Sequence, residues 1–371
     1  MKINDFLLER LFAKYEFEIP YLLCASDCES FSIEEILQFE EGASIKFNKL
    51  KLGYADSQGS PELRDAISTL YSSISNQDLL AFAGAEEGIF AFMNVILNPG
   101  DHIIVQFPAY QSLFEIAQAI GCNVTKWPMD AKNNWELDLE FLIENIREKT
   151  KVIVINFPHN PTGSLISKTK FEKIVEIASN HDLYLFSDEV YRLLEYDTTI
   201  RLPPACELYD KAISLGVMSK SFGLAGLRIG WTATKDPELL DKLARFKDYT
   251  TICNSIASEF LASIALRNQQ SLVERNLSII KSNLLALDKF FSDTNLINWI
   301  RPLAGPIAFP MIAEGRSSEK FCADLLKKSG VLLLPSSAFL YGDTHFRIGF
   351  GRENMPESLS KLKEYIDSIN F

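Results

Sequence analysis

Lys220 stands between an apolar run, AISLGVMS (212–219), and a Gly/Ala-rich stretch, SFGLAGLRIG (221–230). Most lysines are solvated surface groups. One held against apolar walls gives up its proton more readily, and its free amine can form a Schiff base. Arg228, eight residues on, suits a forked grip on an anion such as phosphate; capping a helix or pairing with an acid are its ordinary roles. Glycines 223, 226 and 230 do not follow G-x-G-x-x-G, which disfavours a dinucleotide.

Asp188 closes the run DLYLFSD (182–188). An unpaired carboxylate at the end of a buried strand is costly, so it needs a cation. A pyridine ring nitrogen would serve, because the aspartate would keep it protonated and make the ring an electron sink. Its plain alternative is a helix N-cap. The segment AGAEEGIF (83–90) offers free backbone N–H groups of Ala85 and Glu86 at a helix start, where an anion can sit; Glu86 and Glu87 also complement the helix dipole. Arg347, in HFRIGFG (345–351), shares a strand face with Gly349 and Gly351, which leaves room for another molecule to approach. A solvated edge arginine fits the same pattern.

These groups fall at the ends of β-rich runs that alternate with amphipathic helical stretches from about residue 80 to 235. The runs are 101–107, 151–157, 182–188 and 212–219, followed by 228–234. Near-continuous apolar strands separated by helices imply an α/β fold with a mostly parallel sheet covered on both faces. Ligands in such sheets bind beyond the carboxyl ends of the strands. There lie Pro108 and Tyr110, Asn160-Pro161-Thr162-Gly163, Asp188 to Tyr191, and Ser219-Lys220. Leu277, Ile280, Leu284, Leu287 and Phe291 predict a long helix with one buried seam. An α+β tail follows it.

Composition narrows the classes. Hydrophobic residues make up 47% of the 371, enough for a large core. Lys+Arg total 37 against Asp+Glu 49, a net charge of −12 that repels nucleic acid and anionic membranes. No apolar run approaches the ~18 residues of a membrane span, and the N-terminus has no signal-peptide pattern. The expected compartment is the cytoplasm. The six cysteines read as buried reduced thiols, and no spacing suggests a metal site.

Taken in order, the strings GYADSQGSPELR (53–64), NFPHNPTG (156–163), SDEVY (187–191), SKSFGLAGLRIG (219–230) and FRIGFG (346–351) resemble the class I/II aminotransferases. These are fold-type I enzymes that use pyridoxal 5′-phosphate, and the likeness runs from about residue 20 to 365. It implies a large cofactor-binding domain over 46–280, with a mostly parallel seven-stranded sheet. A smaller α+β domain would comprise 1–45 and 281–371. The resemblance also implies the roles. Lys220 forms the cofactor imine and shuttles the proton. Asp188 pairs with the pyridine nitrogen, Tyr191 and Asn160 bond the phenolic oxygen, and Tyr110 stacks on the ring. Arg228, Ser219 and the amides of Ala85 and Glu86 hold the phosphate, with Tyr54 reaching it from the second subunit of a homodimer. Arg347 and Asn160 bind the substrate carboxylate.

Two departures bear on the substrate. A hydroxyl residue common three places before the lysine is here Val217, and the usual glycine pair of the small domain is Gly305-Pro306. The activity so implied is ping-pong transfer between an amino acid and a 2-oxo acid. A β-lyase, decarboxylase, racemase or cyclase would use the same site, and a non-catalytic cofactor-binding regulator is the rival from another class. A dicarboxylate substrate would need a second arginine, for which Arg201, Arg245, Arg301 and Arg352 are the candidates. Cys24, Ser26 and Asp27 are placed at the mouth of the site, and Phe107, Phe222, Phe339 and Tyr341 suggest an apolar pocket.

Overall fold

Strands form where the apolar runs predict them, and each is nearly sealed from water. In the computed structural model, which describes residues 2–313 and 315–369, His102–Phe107 and Ala212–Val217 are buried throughout. One large sheet takes the order Leu79–Phe82, Gly230–Ala233, Ala212–Val217, Tyr184–Asp188, Thr150–Asn156, His102–Phe107, Asn123–Asp130 and Glu136–Leu137. Neighbours from 212–217 to 123–130 pair in parallel, and Gly230–Ala233 runs antiparallel to both its neighbours. This is the implied seven-stranded sheet plus an eighth strand. The extra strand has two residues and pairs antiparallel with Met129 and Asp130, too short to show a period of two.

The parallel strands end on one edge, so Tyr110, Asn160, Asp188 and Lys220 emerge side by side. Strong local bonds fix the loops that carry them. The Asn156 side chain donates to the Asp188 carbonyl at 2.9 Å, while its Oδ1 accepts the Asn160 amide at 2.8 Å. Ser221, next to the lysine, donates to the carbonyls of Arg192 (2.6 Å) and Val190 (3.2 Å). The lysine turn is thereby stitched to the loop that follows Asp188.

Outside this sheet, Phe346–Gly349 lies between Ile307–Ala308 and Leu334–Pro335, antiparallel to both. Tyr21–Leu22 pairs in parallel with Val331–Leu332, which sets the N-terminal segment beside the C-terminal part. The seam helix spans Gln269–Ser292 and buries Ile280, Leu284, Leu287 and Phe291; Leu277 is only half-buried. No helix among the described residues is long and apolar enough to cross a membrane. All six cysteines are free, and four are buried; Cys122 and Cys253 are half-exposed, a correction to the reading of all six as core thiols. Both sit near the ends of elements, where burial is a matter of tertiary contact and not of residue type.

Candidate active site

One cavity of about 390 Å³ lies at the carboxyl edge of the sheet. Ten residues given cofactor or substrate roles from the sequence line it, namely Ala85, Glu86, Tyr110, Asn160, Asp188, Tyr191, Ser219, Lys220, Arg228 and Arg347; Ser26, Asp27 and Val217 line it too, and Cys24 stays outside. Tyr54 does not. It is 90% exposed, with its ring in solvent on this chain.

The cavity has an anion end. The helix Ala85–Ile96 starts there, and its cap residue Gly84 supplies no side-chain bond to the first amides. Gly84 has φ +94°, and a Cβ on it would fall 2.6 Å from Nη2 of Arg228. A guanidinium and open helix-terminal N–H groups therefore share one small space, which suits a phosphate. Glu86 turns aside and accepts from Ser112 Oγ at 2.6 Å. Burial pushes its carboxyl above the ordinary range. Val217 lines the cavity with methyl groups where a hydroxyl is otherwise common, so that contact is absent.

At the centre, Asp188 is 5% exposed and has no ion-pair partner among the described residues. Burial pushes its carboxyl up to about 7, against the opposing pull of the Val190 amide and the Lys220 charge. The Val190 N–H donates to Oδ1 at 3.2 Å, the local turn that an N-cap reading anticipates. Close by, the Tyr191 hydroxyl is buried with no hydrogen-bond partner among the described residues. Burying a polar atom without a partner costs about 1–3 kcal/mol, so this group awaits a ligand. The Lys220 amine lies 5.9 Å from the Tyr191 ring centre and donates to Ser26 Oγ at 3.0 Å.

Arg347 is 1% exposed and lacks any acid partner among the described residues. Its Nε and Nη2 donate to the Cys24 carbonyl at 3.1 and 2.9 Å, and Nη1 to Asn160 Oδ1 at 3.2 Å. A buried, unpaired guanidinium is expensive unless an anion joins it. The room predicted beside Gly349 and Gly351 is filled by the chain itself. A Cβ at these positions would meet the carbonyl oxygens of Ala25 and Asp27 at 1.9 and 2.2 Å. The edge-strand alternative is also set aside, because 346–349 is central in its sheet.

Several lining groups escaped the sequence reading. The helix Leu7–Tyr15 covers the cavity with Leu8, Glu9 and Phe12, and Glu16 follows it. The Tyr110 hydroxyl donates to Glu9 Oε1 at 3.0 Å, and Phe6 packs on the Tyr110 ring at 4.9 Å. Only the amphipathic spacing Leu8, Leu11, Phe12 and Tyr15 signals this helix, and spacing does not say what a helix covers. The four arginines considered for a second carboxylate are all paired elsewhere: Arg201 with Glu195, Arg245 with Asp241, Arg301 with Asp288 and Arg352 with Asp27. None lines the cavity, and neither do Phe107, Phe222, Phe339 or Tyr341. Pro306 is also outside; its carbonyl accepts the Phe350 amide at 2.7 Å.

The family profile for aminotransferase class I and II matches residues 21–362. The chain belongs to that family. A solved structure described as a PLP-dependent aminotransferase from Streptococcus suis is similar to it, with 33% identity and a TM-score of 0.94 over 100% of both chains. A second, described as the PLP-dependent cyclase OrfR, has 26% identity and a TM-score of 0.92 over 100% of this chain and 99% of the other. Capreomycidine synthase of Streptomyces vinaceus is 27% identical over 98% of this chain and 92% of its own. The chain is thus an enzyme transferring nitrogenous groups, with pyridoxal 5′-phosphate as its cofactor. The cavity fits that group: an anion end at Arg228, a buried carboxylate short of a cation, an orphaned phenol and a primary amine.

Proposed function

We propose that this enzyme is an aminotransferase that moves an amino group from an amino acid to a 2-oxo acid in two half-reactions. The observation that carries the reading is Arg347, a buried guanidinium with no acid partner among the described residues, in one cavity with Lys220 and Asp188. Arg347, with Asn160 beside it, takes the substrate α-carboxylate and fixes which way the Cα–H bond faces. Lys220 Nζ takes the α-proton. Arg228, Ser219 and the amides of Ala85 and Glu86 hold the cofactor phosphate, and Tyr110 backs the ring. Tyr191 and Asn160 bond the phenolic oxygen, and Asp188 holds a proton on the ring nitrogen. Bound there, the cofactor supplies an electron sink for the charge left on Cα. The same reading makes the enzyme a cytoplasmic homodimer, in which the exposed Tyr54 of a second copy reaches the phosphate.

A second reading is favoured by the full-length likeness to a cyclase and to capreomycidine synthase: ring closure or elimination on an amino acid. One experiment separates the two. The loaded enzyme is given one amino acid at a time and no acceptor. Transfer yields one equivalent of 2-oxo acid, loss of the visible band and no free ammonia. Ammonia or a cyclised product with the band retained selects the second reading, and no change with any donor removes both.

Arg347→Gln keeps a hydrogen-bonding side chain but loses the charge. KM for the amino donor is expected to rise roughly 100-fold, as for losing one charge-assisted fork. Cofactor affinity, measured by absorbance titration, should stay within about two-fold. A KM unchanged by this substitution would move the carboxylate site elsewhere.

A further inference from the structure

The hydrogen bond from Lys220 Nζ to Ser26 Oγ joins residues 194 positions apart, and it is the bond the structure gives to the reacting amine. Ser26 sits on an extended segment whose position is fixed from several sides. Gly349 donates to the Leu23 carbonyl at 2.9 Å, and Glu29 donates to the Gly351 carbonyl at 2.9 Å. The Ala25, Asp27 and Glu29 carbonyls lie against Gly349, Gly351 and Gly223, where a Cβ would come within 1.9, 2.2 and 2.4 Å. Gly223 belongs to the turn that carries Lys220. Arg352 grips both oxygens of Asp27 at 3.1 and 2.9 Å. Two residues before Ser26, the Cys24 carbonyl holds Arg347.

We propose that Ser26 is the positioning residue for the Lys220 amine during proton transfer, in the reaction assigned above. The amine changes protonation in each half-reaction, and a hydroxyl can both accept and donate a hydrogen bond. When Lys220 takes the α-proton, its lone pair becomes an N–H bond, and the resulting ammonium donates to Ser26 Oγ. When the proton leaves, the neutral nitrogen accepts from the Ser26 O–H. Ser26 keeps its own proton throughout, so nothing is gained or lost by the serine. Because Cys24 and Ser26 lie on one short segment, the carboxylate anchor and the proton carrier are held at a fixed separation. The other titratable groups that sense the amine are Asp188, Glu16 and Cys28, with the Tyr191 ring facing it.

Ser26→Ala is expected to slow the single-turnover half-reaction about ten-fold, the size of one lost hydrogen bond to a charged group. Donor KM should stay within about two-fold, and the isotope effect with an α-deuterated donor should rise. Ser26→Thr, which keeps the hydroxyl, should recover most of the rate. A second arm needs neither donor nor turnover. Lys220 of the cofactor-free protein is labelled by reductive methylation and followed by peptide mass. Ser26→Ala should label about three- to ten-fold faster, because its amine has lost the hydrogen bond that holds it in place. An unchanged isotope effect, or an unchanged labelling rate, overturns the role of Ser26. Amino transfer itself stands or falls separately, on the products of the half-reaction.

Discussion

Lys220→Ala is expected to lower turnover by at least four orders of magnitude, since it removes both the covalent attachment and the proton carrier. Wild-type protein treated with cofactor and borohydride should gain the reduced cofactor mass on the peptide containing residue 220; the variant should gain none. The amine lies in a turn held by Ser221 and does not pack into the core, so the fold should survive. Circular dichroism and the melting temperature check that. Full activity in this variant would end the assignment.

Asp188→Asn should cost roughly 10²–10³-fold in the first half-reaction, comparable to losing one preorganised electrostatic partner. It also carries a pH signature. The buried carboxyl titrates near 7, well above its unfolded range, so between about pH 4 and 7 the folded state holds a proton that the unfolded state has lost. The sign follows: cofactor-free wild-type protein loses stability as pH rises through this window, by up to about 4 kcal/mol in the limit. A cationic ring nitrogen placed beside the carboxylate reverses the penalty. The gain in melting temperature on loading should therefore grow from pH 5 to pH 8 in wild type and stay nearly flat in Asp188→Asn. A gain independent of pH in wild type would separate Asp188 from the cofactor nitrogen.

The floor of the cavity is legible in the sequence because it hangs on strand ends. A buried parallel strand declares itself by composition, and the residue after it is then placed to within a turn. Lys220, Asp188 and Asn160 close or follow strands in this way and line the cavity. The roof was not legible. Glu9, Phe12 and Glu16 reach the cavity only because a short N-terminal helix docks on Tyr110, a contact across about a hundred residues that no local pattern encodes. Arg347 was read on the correct face, yet the space beside it was assigned to a visiting molecule when the chain's own backbone fills it. Alternation reports which way a side chain points and is silent on what arrives to meet it. Two-residue strands such as Glu136–Leu137 stay hidden for a related reason, since two residues cannot display a repeat.

The glycine seats under residues 25–29 carry a consequence for biosynthesis. The stretch that meets the lysine spans residues 25–29, whereas two of its three seats, Gly349 and Gly351, are translated more than three hundred residues later. A nascent chain holding the complete large sheet still lacks the ledge on which the opening stretch rests. Competence in this enzyme therefore arrives late, when residues 25–29 settle against Gly349 and Gly351.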